Sequence, residues 1–262
     1  MKTKVNGVKI AYDIHGIGVP VVLLHAFPLN RTMWEPQIEE LSKDFQLITP
    51  DLRGFGESEG TNEPYLMELF AEDVYGLINS LGLEKVVLGG LSMGGYIAFA
   101  FYRKYPEKVQ ALILADTRAE ADTEEGKKNR KALADQVIGE GTKVIAEQLA
   151  PKLLGKTTRE NNRALLEKIK DIIRSNSMAA IANASLGMAL RPDSNPILEK
   201  IQCPTLILVG EEDELTPVAL AENMKQKIRN AELVVIPKAG HLSNIEQPQA
   251  FNRAVKKFLK NL

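Results

Sequence analysis

The chain has 262 residues, with 33 Lys or Arg and 34 Asp or Glu, so its formal net charge is −1. Nucleic-acid binders and anionic-membrane binders carry an excess of positive charge, so we expect neither kind of partner. The single cysteine, Cys203, excludes an internal disulfide and any multi-cysteine metal site. The N-terminus has no apolar core of signal-peptide length, and no apolar run is long enough to span a bilayer. We therefore expect a cytoplasmic protein.

Short runs of β-branched residues and leucine alternate with helical patterns along the chain. A tight turn at Asn6-Gly7 precedes the first run, and the predicted strands cover residues 8–12, 19–24, 45–49, 85–88, 111–114, 205–209 and 233–236. Continuous apolar runs of this length are typical of parallel strands covered by helices on both faces. Apolar residues at helical spacing predict helices at 66–81, 94–105 and 248–259. The alternation predicts a three-layer α/β domain.

One long stretch, 118–190, contains helical patterns and no strand signal. Within it, five apolar residues occupy one face of a helix: Leu165, Leu166, Ile169, Ile172 and Ile173. A purely helical stretch between two core strands predicts an inserted cap, 118–190, on a core formed by 1–117 and 191–262.

The cap contains a basic run, Lys127-Lys128-Asn129-Arg130-Lys131. We interpret it as a solvated helix face rather than an anion-binding patch, because several acidic residues lie close by: Glu120, Asp122, Glu124 and Glu125.

The segment Gly90-Leu91-Ser92-Met93-Gly94 matches G-x-S-x-G and lies between a predicted buried strand and a predicted helix. In a nucleophile elbow the serine occupies a strained turn with its hydroxyl exposed, and the flanking glycines make room for that turn. The motif alone is common, but its position between strand and helix makes Ser92 the candidate nucleophile.

A serine hydroxyl needs a base to be nucleophilic at neutral pH. The chain has three histidines, and His241 directly follows the last predicted strand, at the edge of the sheet where open α/β sheets bind ligands. His25 also follows a strand, but it adjoins a loop with another expected role, and His15 belongs to the N-terminal hairpin. We therefore predict His241 as the base.

The base in turn needs an orienting carboxylate. Asp213 follows the penultimate strand and gives the chain order Ser92, Asp213, His241, which is the α/β-hydrolase order of nucleophile, acid and histidine. We favour Asp213, with Asp116, after the strand at 111–114, as the alternative acid.

The oxyanion of such a reaction needs two donors. The residue after the nucleophile supplies one, and the loop after an earlier strand supplies the other, so we expect the backbone N–H groups of Met93 and Phe27. No H-E-x-x-H, P-loop or G-x-G-x-x-G motif is present, so we expect no metal and no cofactor.

These segments together resemble the α/β-hydrolase-fold superfamily, in particular its helical-capped carboxylesterases and lactonases. The chain is similar to 3-oxoadipate enol-lactonases and acyl-homoserine-lactone hydrolases. The segments that carry the resemblance are 25–28 with Met33-Trp34, 51–58, 90–95, 191–194, 210–217 and 240–241. One departure is Ala26, where the family usually has glycine. The resemblance implies a mostly parallel eight-stranded sheet flanked by helices, with an inserted helical cap.

We therefore expect a serine hydrolase that cleaves a small carboxylic ester or lactone through an acyl-enzyme. Candidate substrate-binding residues are Phe27, Trp34, Met178, Leu186 and Met188, which predict an apolar pocket for a neutral substrate. Alternatives are a specific acyl-homoserine-lactone or enol-lactone hydrolase, a perhydrolase or haloperoxidase activity, and a non-catalytic ligand receptor on the same fold. The sequence is compatible with a monomer or a small homo-oligomer.

Overall fold

The computed structural model describes all residues, 1–262. A single eight-stranded sheet forms the middle layer. Its strands are β1 (Lys2–Val5), β2 (Val8–His15), β3 (Pro20–Leu24), β4 (Gln46–Pro50), β5 (Val86–Leu91), β6 (Val109–Ala115), β7 (Thr205–Gly210) and β8 (Ala231–Ile236). Their spatial order is β1-β2-β4-β3-β5-β6-β7-β8. Only β1 with β2 and β2 with β4 pair antiparallel, and the other neighbours are parallel.

Twelve helices flank the sheet or connect its strands. They are α1 (Glu35–Leu41), α2 (Met67–Ser80), α3 (Met93–Lys104), α4 (Glu124–Glu140), α5 (Thr142–Leu153), α6 (Lys156–Asn161), α7 (Arg163–Arg174), α8 (Met178–Ala189), α9 (Asn195–Leu198), α10 (Val218–Lys227), α11 (Ser243–Glu246) and α12 (Pro248–Leu259). Two 3₁₀ turns, Arg31–Trp34 and Pro106–Lys108, complete the regular structure. None of the helices combines the length and the apolar composition needed to cross a bilayer.

The predicted α/β architecture with a mostly parallel eight-stranded sheet is confirmed. Every predicted strand is present, and β5 is buried along its whole length, as a strand covered on both faces must be. The predicted helices 66–81, 94–105 and 248–259 correspond to α2, α3 and α12. Strand β1 was not predicted from the sequence, because only the turn that follows it, at Asn6-Gly7, has a distinctive sequence pattern.

Six helices, α4 to α9, lie between β6 and β7, and α4 to α8 fall within the segment 118–190. Helix α4 packs on α8, and α5 packs on α7. The apolar face predicted for α7 is largely buried: Leu165, Ile169, Ile172 and Ile173 are inaccessible or nearly so. These side chains join the same hydrophobic cluster as the residues that cover the sheet, and buried residues of α4, α5 and α8 belong to it too. These four helices are therefore attached through a continuous apolar contact.

Candidate active site

Ser92 occupies the sharp turn between β5 and α3. Its backbone has φ 54° and ψ −111°, a conformation that L-residues rarely adopt. A Cβ atom at Gly90 would overlap the backbone of Gly94, and one at Gly94 would overlap the carbonyl of Leu24. Both glycines are therefore required by the tightness of the turn, which holds the serine at the carboxyl edge of the sheet.

The Ser92 hydroxyl contacts the imidazole of His241, which lies in the loop between β8 and α11. The distance from Ser92 Oγ to His241 Nε2 is 2.8 Å, although 149 residues separate the two in sequence. Ser92 is 9% exposed and His241 is 4% exposed, so little of either side chain is open to bulk water.

The other imidazole nitrogen faces Asp213, in the loop after β7. His241 Nδ1 lies 2.8 Å from Asp213 Oδ2. Because a carboxylate can only accept here, Nδ1 carries the proton and Nε2 is left to accept from the serine hydroxyl. Ser92, His241 and Asp213 thus form one continuous hydrogen-bonded chain.

The Asp213 carboxylate is held by its own loop. The backbone N–H groups of Leu215 and Thr216 donate to Oδ1 at 2.8 and 2.9 Å, and the Thr216 hydroxyl donates to Oδ2 at 2.5 Å. Burial by itself raises the pKa of the Asp213 carboxyl. The charge and hydrogen bond of His241, together with the Thr216 donors, outweigh burial and lower that pKa below its usual range. Sequence reasoning did not identify Thr216, although it lies inside the segment 210–217 that carries the family resemblance.

The alternative acid, Asp116, has different partners. Its Oδ1 accepts from the N–H of Gly210 at 2.8 Å, and its Oδ2 accepts from the hydroxyl and the N–H of Ser243 at 2.6 and 3.2 Å. Asp116 is fully buried, and burial followed by the nearby charge of Asp213 raises its pKa well above the usual value. Asp116 therefore ties the end of β7 to the start of α11, and of the two carboxylates only Asp213 contacts the imidazole.

The other two histidines lie away from Ser92. His25 Nδ1 donates to the carbonyl of Ala26 at 3.0 Å, and its Nε2 accepts from the N–H of Leu52 at 3.0 Å. Burial lowers the pKa of His25 to about 4, so the ring is neutral at pH 7 and pins two loops together. His15 is exposed at the end of β2.

The two expected oxyanion donors lie on the segments that adjoin Ser92. Met93 begins α3, and the N–H of a first helical residue has no acceptor within its helix. Phe27 lies in the loop after β3, and its N–H donates to no other protein group. Ala26, where the family usually has glycine, is completely buried, with its N–H 3.1 Å from the sulfur of Met33.

A cavity of about 670 Å³ opens onto Ser92 and His241. Its wall includes apolar side chains and an unexpected number of charged ones. The apolar members include Phe27, Leu133, Leu149, Leu153, Met188 and Leu215, and the charged members are Arg118, Asp122, Arg130, Lys152 and Glu214.

Only two of the five expected substrate-binding residues, Phe27 and Met188, line this cavity. Trp34 is almost fully buried and packs against Phe251, with ring centroids 6.4 Å apart. Leu186 packs against the hydrophobic core, and Met178 is 45% exposed at the start of α8. The expectation that these three form the pocket wall is wrong, because apolar character does not distinguish a wall residue from a core or surface one.

Comparison with known proteins agrees with the fold. The family model for the alpha/beta hydrolase fold matches residues 19–248. A solved thermophilic esterase from Thermogutta terrifontis is 46% identical, with a TM-score of 0.97 over 100% of this chain and 98% of that one. The 3-oxoadipate enol-lactonase 2 of Acinetobacter baylyi is 29% identical over 92% of this chain and 88% of its own length.

A third similar protein, Est816, is described as an N-acyl homoserine lactone degrading enzyme. It is 26% identical, with a TM-score of 0.83 over 98% of this chain and 100% of its own. The resemblance to enol-lactonases and acyl-homoserine-lactone hydrolases is therefore confirmed as a similarity. The match of the family model over most of the chain, with the eight-stranded sheet and the turn at Ser92, shows that the chain belongs to the alpha/beta hydrolase fold family.

Proposed function

We propose that the chain cleaves carboxylic esters or lactones, with Ser92 as nucleophile, His241 as general base and acid, and Asp213 as the orienting carboxylate. The chain is an enzyme of the esterase and lactonase type within its family, as its named relatives are. The observation that carries the proposal is the unbroken hydrogen-bonded chain from the Ser92 hydroxyl through His241 to Asp213, with both distances at 2.8 Å.

In the first half of the reaction, Nε2 of His241 takes the hydroxyl proton as Ser92 Oγ attacks the substrate carbonyl. The imidazolium that forms is stabilised by the Asp213 carboxylate, whose lowered pKa keeps it ionised. Collapse of the tetrahedral intermediate transfers the proton from His241 to the leaving alcohol and leaves an acyl group on Ser92. A water molecule activated by His241 then attacks the acyl-enzyme and releases the acid.

The negative oxygen of each tetrahedral intermediate would be bound by the N–H groups of Phe27 and Met93. The Phe27 N–H is unused by the protein, and Met93 adds the positive end of the α3 dipole. One donor of this kind contributes roughly 3–4 kcal/mol of transition-state stabilisation.

We further propose that residues 118–190 act as a cap on a core of 1–117 and 191–262. The cavity beside Ser92 is lined by residues of α4, α5 and α8 as well as by core loops, so this segment forms one of its walls. Such a wall excludes water and sets the shape of the acyl or lactone group that can reach Ser92.

Active-site titration tests the proposal. A fluorophosphonate should label the chain at one site per molecule, and peptide mass spectrometry should locate the adduct on Ser92. Ser80→Ala is the matched control, because the Ser80 hydroxyl only donates to the carbonyl of Leu77 at the end of α2. The proposal is wrong if Ser92→Ala is still labelled, or if it hydrolyses p-nitrophenyl butyrate as fast as Ser80→Ala.

A substrate panel then separates the lactone and linear-ester alternatives. Acyl-homoserine lactones of several chain lengths, a γ-lactone and matched linear ethyl esters should be compared by kcat/KM in the same pH-stat assay. Substantially greater kcat/KM for one class identifies the natural bond type. Tight binding with a single turnover for every compound would instead indicate a ligand receptor.

A further inference from the structure

Three arginines share one carboxylate at the side of the cavity that adjoins Ser92. The Asp122 side chain is nearly inaccessible, and Arg118 donates to its Oδ1 at 2.6 Å. Arg130 lies 3.2 Å from Oδ2, and Arg191 lies 2.9 Å from Oδ2 and 3.0 Å from Oδ1. The cluster of Arg118, Asp122, Arg130 and Arg191 therefore holds more positive than negative charge.

Arg191 is the buried member of this arginine cluster. Its guanidinium carbon lies 4.1 Å from the centroid of the Tyr96 ring, and its remaining N–H groups donate to the carbonyls of Met188 and Glu120. The backbone N–H of Tyr96 in turn donates to the carbonyl of Ser92. Tyr96 thus lies about one helical turn, roughly 5.4 Å, along α3 from Ser92, and its ring carries Arg191 of the cluster.

Arg118 and Arg130 face the cavity. Both belong to its wall together with Ser92 and His241. Their side chains keep 28% and 24% of their surface exposed, and the Nε of Arg118 has no acceptor in the protein. The guanidinium of Arg130 lies 5.9 Å from the ring of Phe27, on the loop expected to bind the oxyanion.

The other carboxylates near this wall do not neutralise the two arginines. Glu120 directs Oε1 to the amide of Asn223 on α10, and Glu214 lies 3.5 Å from Arg159 at the rim. Lys152 adds a further cation to the wall. Partly desolvated guanidinium groups without a full complement of carboxylates bind an anion strongly, and their planar fork matches the two oxygens of a carboxylate.

We propose that the cavity binds an ester or lactone that carries a second, free carboxylate, held by Arg118 and Arg130 while Ser92 attacks the ester carbonyl. This inference rests on the proposed ester-hydrolase function and narrows its substrate class. Because Arg118, Arg130 and Ser92 line one cavity of about 670 Å³, we expect a small molecule, such as the half-ester of a short dicarboxylic acid.

The proposal differs from the expectation of a neutral substrate and an apolar pocket. It also changes the interpretation of the basic run 127–131, because Asn129 and Arg130 line the cavity whereas Lys127, Lys128 and Lys131 do not. One face of α4 therefore belongs to the binding wall, and the solvated-face interpretation holds only for the lysines.

Half-esters and diesters of the same acids provide the test. Monoethyl and diethyl succinate, glutarate and adipate should be compared by kcat/KM at pH 7.5, with the release of acid followed by pH-stat. We expect at least one half-ester to exceed its diester by roughly tenfold or more, the value of one charge-assisted hydrogen bond. In Arg118→Gln and Arg130→Gln the ratio of kcat/KM for the half-ester to kcat/KM for the diester should fall toward one. The fall should come mainly from a higher KM for the half-ester.

Two further measurements make the result decisive. Arg174→Gln is the matched control, because Arg174 pairs with Asp171 and Glu147 on α7 and α5, away from the cavity, and should leave the ratio unchanged. Glutarate should competitively inhibit hydrolysis of p-nitrophenyl butyrate by the unmodified protein. This measurement does not depend on the folding of any variant.

The proposal is overturned if every diester is hydrolysed at least as well as its half-ester, or if the ratio is the same in Arg118→Gln, Arg130→Gln and the unmodified protein. Failure of the underlying hydrolase function has a different signature, since then no ester, charged or neutral, is hydrolysed through Ser92.

Discussion

Glu246 brackets His241 by accepting hydrogen bonds from the backbone on both sides of it. Its Oε1 lies 2.8 Å from the N–H of Gly240 and 3.3 Å from the N–H of Leu242. Its Oε2 accepts from the N–H of Gly155, just before α6, at 2.8 Å. One half-buried carboxylate, whose pKa is raised by desolvation, thus joins the histidine loop to the helices between β6 and β7.

Glu246→Gln should lower kcat on p-nitrophenyl butyrate about tenfold, with a smaller change in KM. A glutamine amide offers one oxygen acceptor, so at least one of the N–H groups of Gly240 and Gly155 loses its partner, at a cost of about 1 kcal/mol or more. The histidine loop then has more freedom, and fewer molecules hold Nε2 in reach of Ser92. Steady-state kinetics measure the split between kcat and KM.

Glu212→Gln is the matched control for this variant. Glu212 also links a core loop to α6, through the backbone N–H and hydroxyl of Thr157, but it makes no bond to the residues beside His241. Its kcat should stay within about twofold of the original, as expected for a partly exposed polar contact. Equal losses of kcat in both variants would contradict the positioning role of Glu246.

Ser92→Ala should lower kcat for ester hydrolysis by about 10⁶-fold, the loss observed when the nucleophile of such a triad is removed. His241→Ala should lose nearly as much, and the double variant should lose little more, because the two groups act as a unit. Stopped-flow and long-time assays with p-nitrophenyl butyrate measure the rates. A single variant that kept more than a tenth of the rate would exclude the mechanism.

Asp213→Asn should lower kcat by about 10⁴-fold, because the amide no longer selects the imidazole tautomer that accepts from Ser92. Asp116→Asn should mainly lower stability, since an asparagine cannot accept from both Gly210 and Ser243 as the carboxylate does. Parallel measurement of kcat and of thermal unfolding distinguishes the two residues. A greater loss of kcat in Asp116→Asn than in Asp213→Asn would make Asp116 the acid.

Asp122→Asn should make the protein less stable at pH 7, by about 2 kcal/mol, because three guanidinium groups lose their carboxylate. Burial raises the pKa of Asp122, but the hydrogen bond to Arg191 and the charges of Arg130 and Arg191 outweigh burial and lower that pKa below its usual value. A carboxyl whose pKa is lower in the folded than in the unfolded state stabilises the fold at pH values above its unfolded pKa. That stabilisation is lost as the pH falls through its folded pKa.

The stability difference between the original chain and Asp122→Asn should therefore shrink as the pH drops below about 4. Urea unfolding between pH 7 and pH 2.5 measures it. Asp135→Asn, at an exposed position on α4, is the control and should show no such pH dependence. A stability difference that stayed constant down to pH 2.5 would contradict the conclusion that Asp122 is ionised in the folded protein.

Local patterns in the sequence were sufficient to predict seven of the eight strands of the sheet. A buried parallel strand must be apolar on both faces, so the runs at 85–88 and 205–209, which became β5 and β7, are recognisable without knowing their neighbours. The turn at Ser92 is equally local, because its two glycines and the strand before it are adjacent in sequence. Such features depend on a few consecutive residues, and so they are visible before folding.

The contacts that define the site are not local. Asp116 and Asp213 both follow a strand at the same edge of the sheet, and only the packed loops decide which one reaches His241. Trp34 is as apolar as a pocket wall requires, yet it lies in the core. The sequence by itself determined the α/β architecture and the position of Ser92 in the turn after β5, because these follow from hydrophobic periodicity and turn chemistry. Tertiary structure alone decided the partner of the histidine and the arginine-rich wall, because both depend on the packing of segments that are distant in the chain.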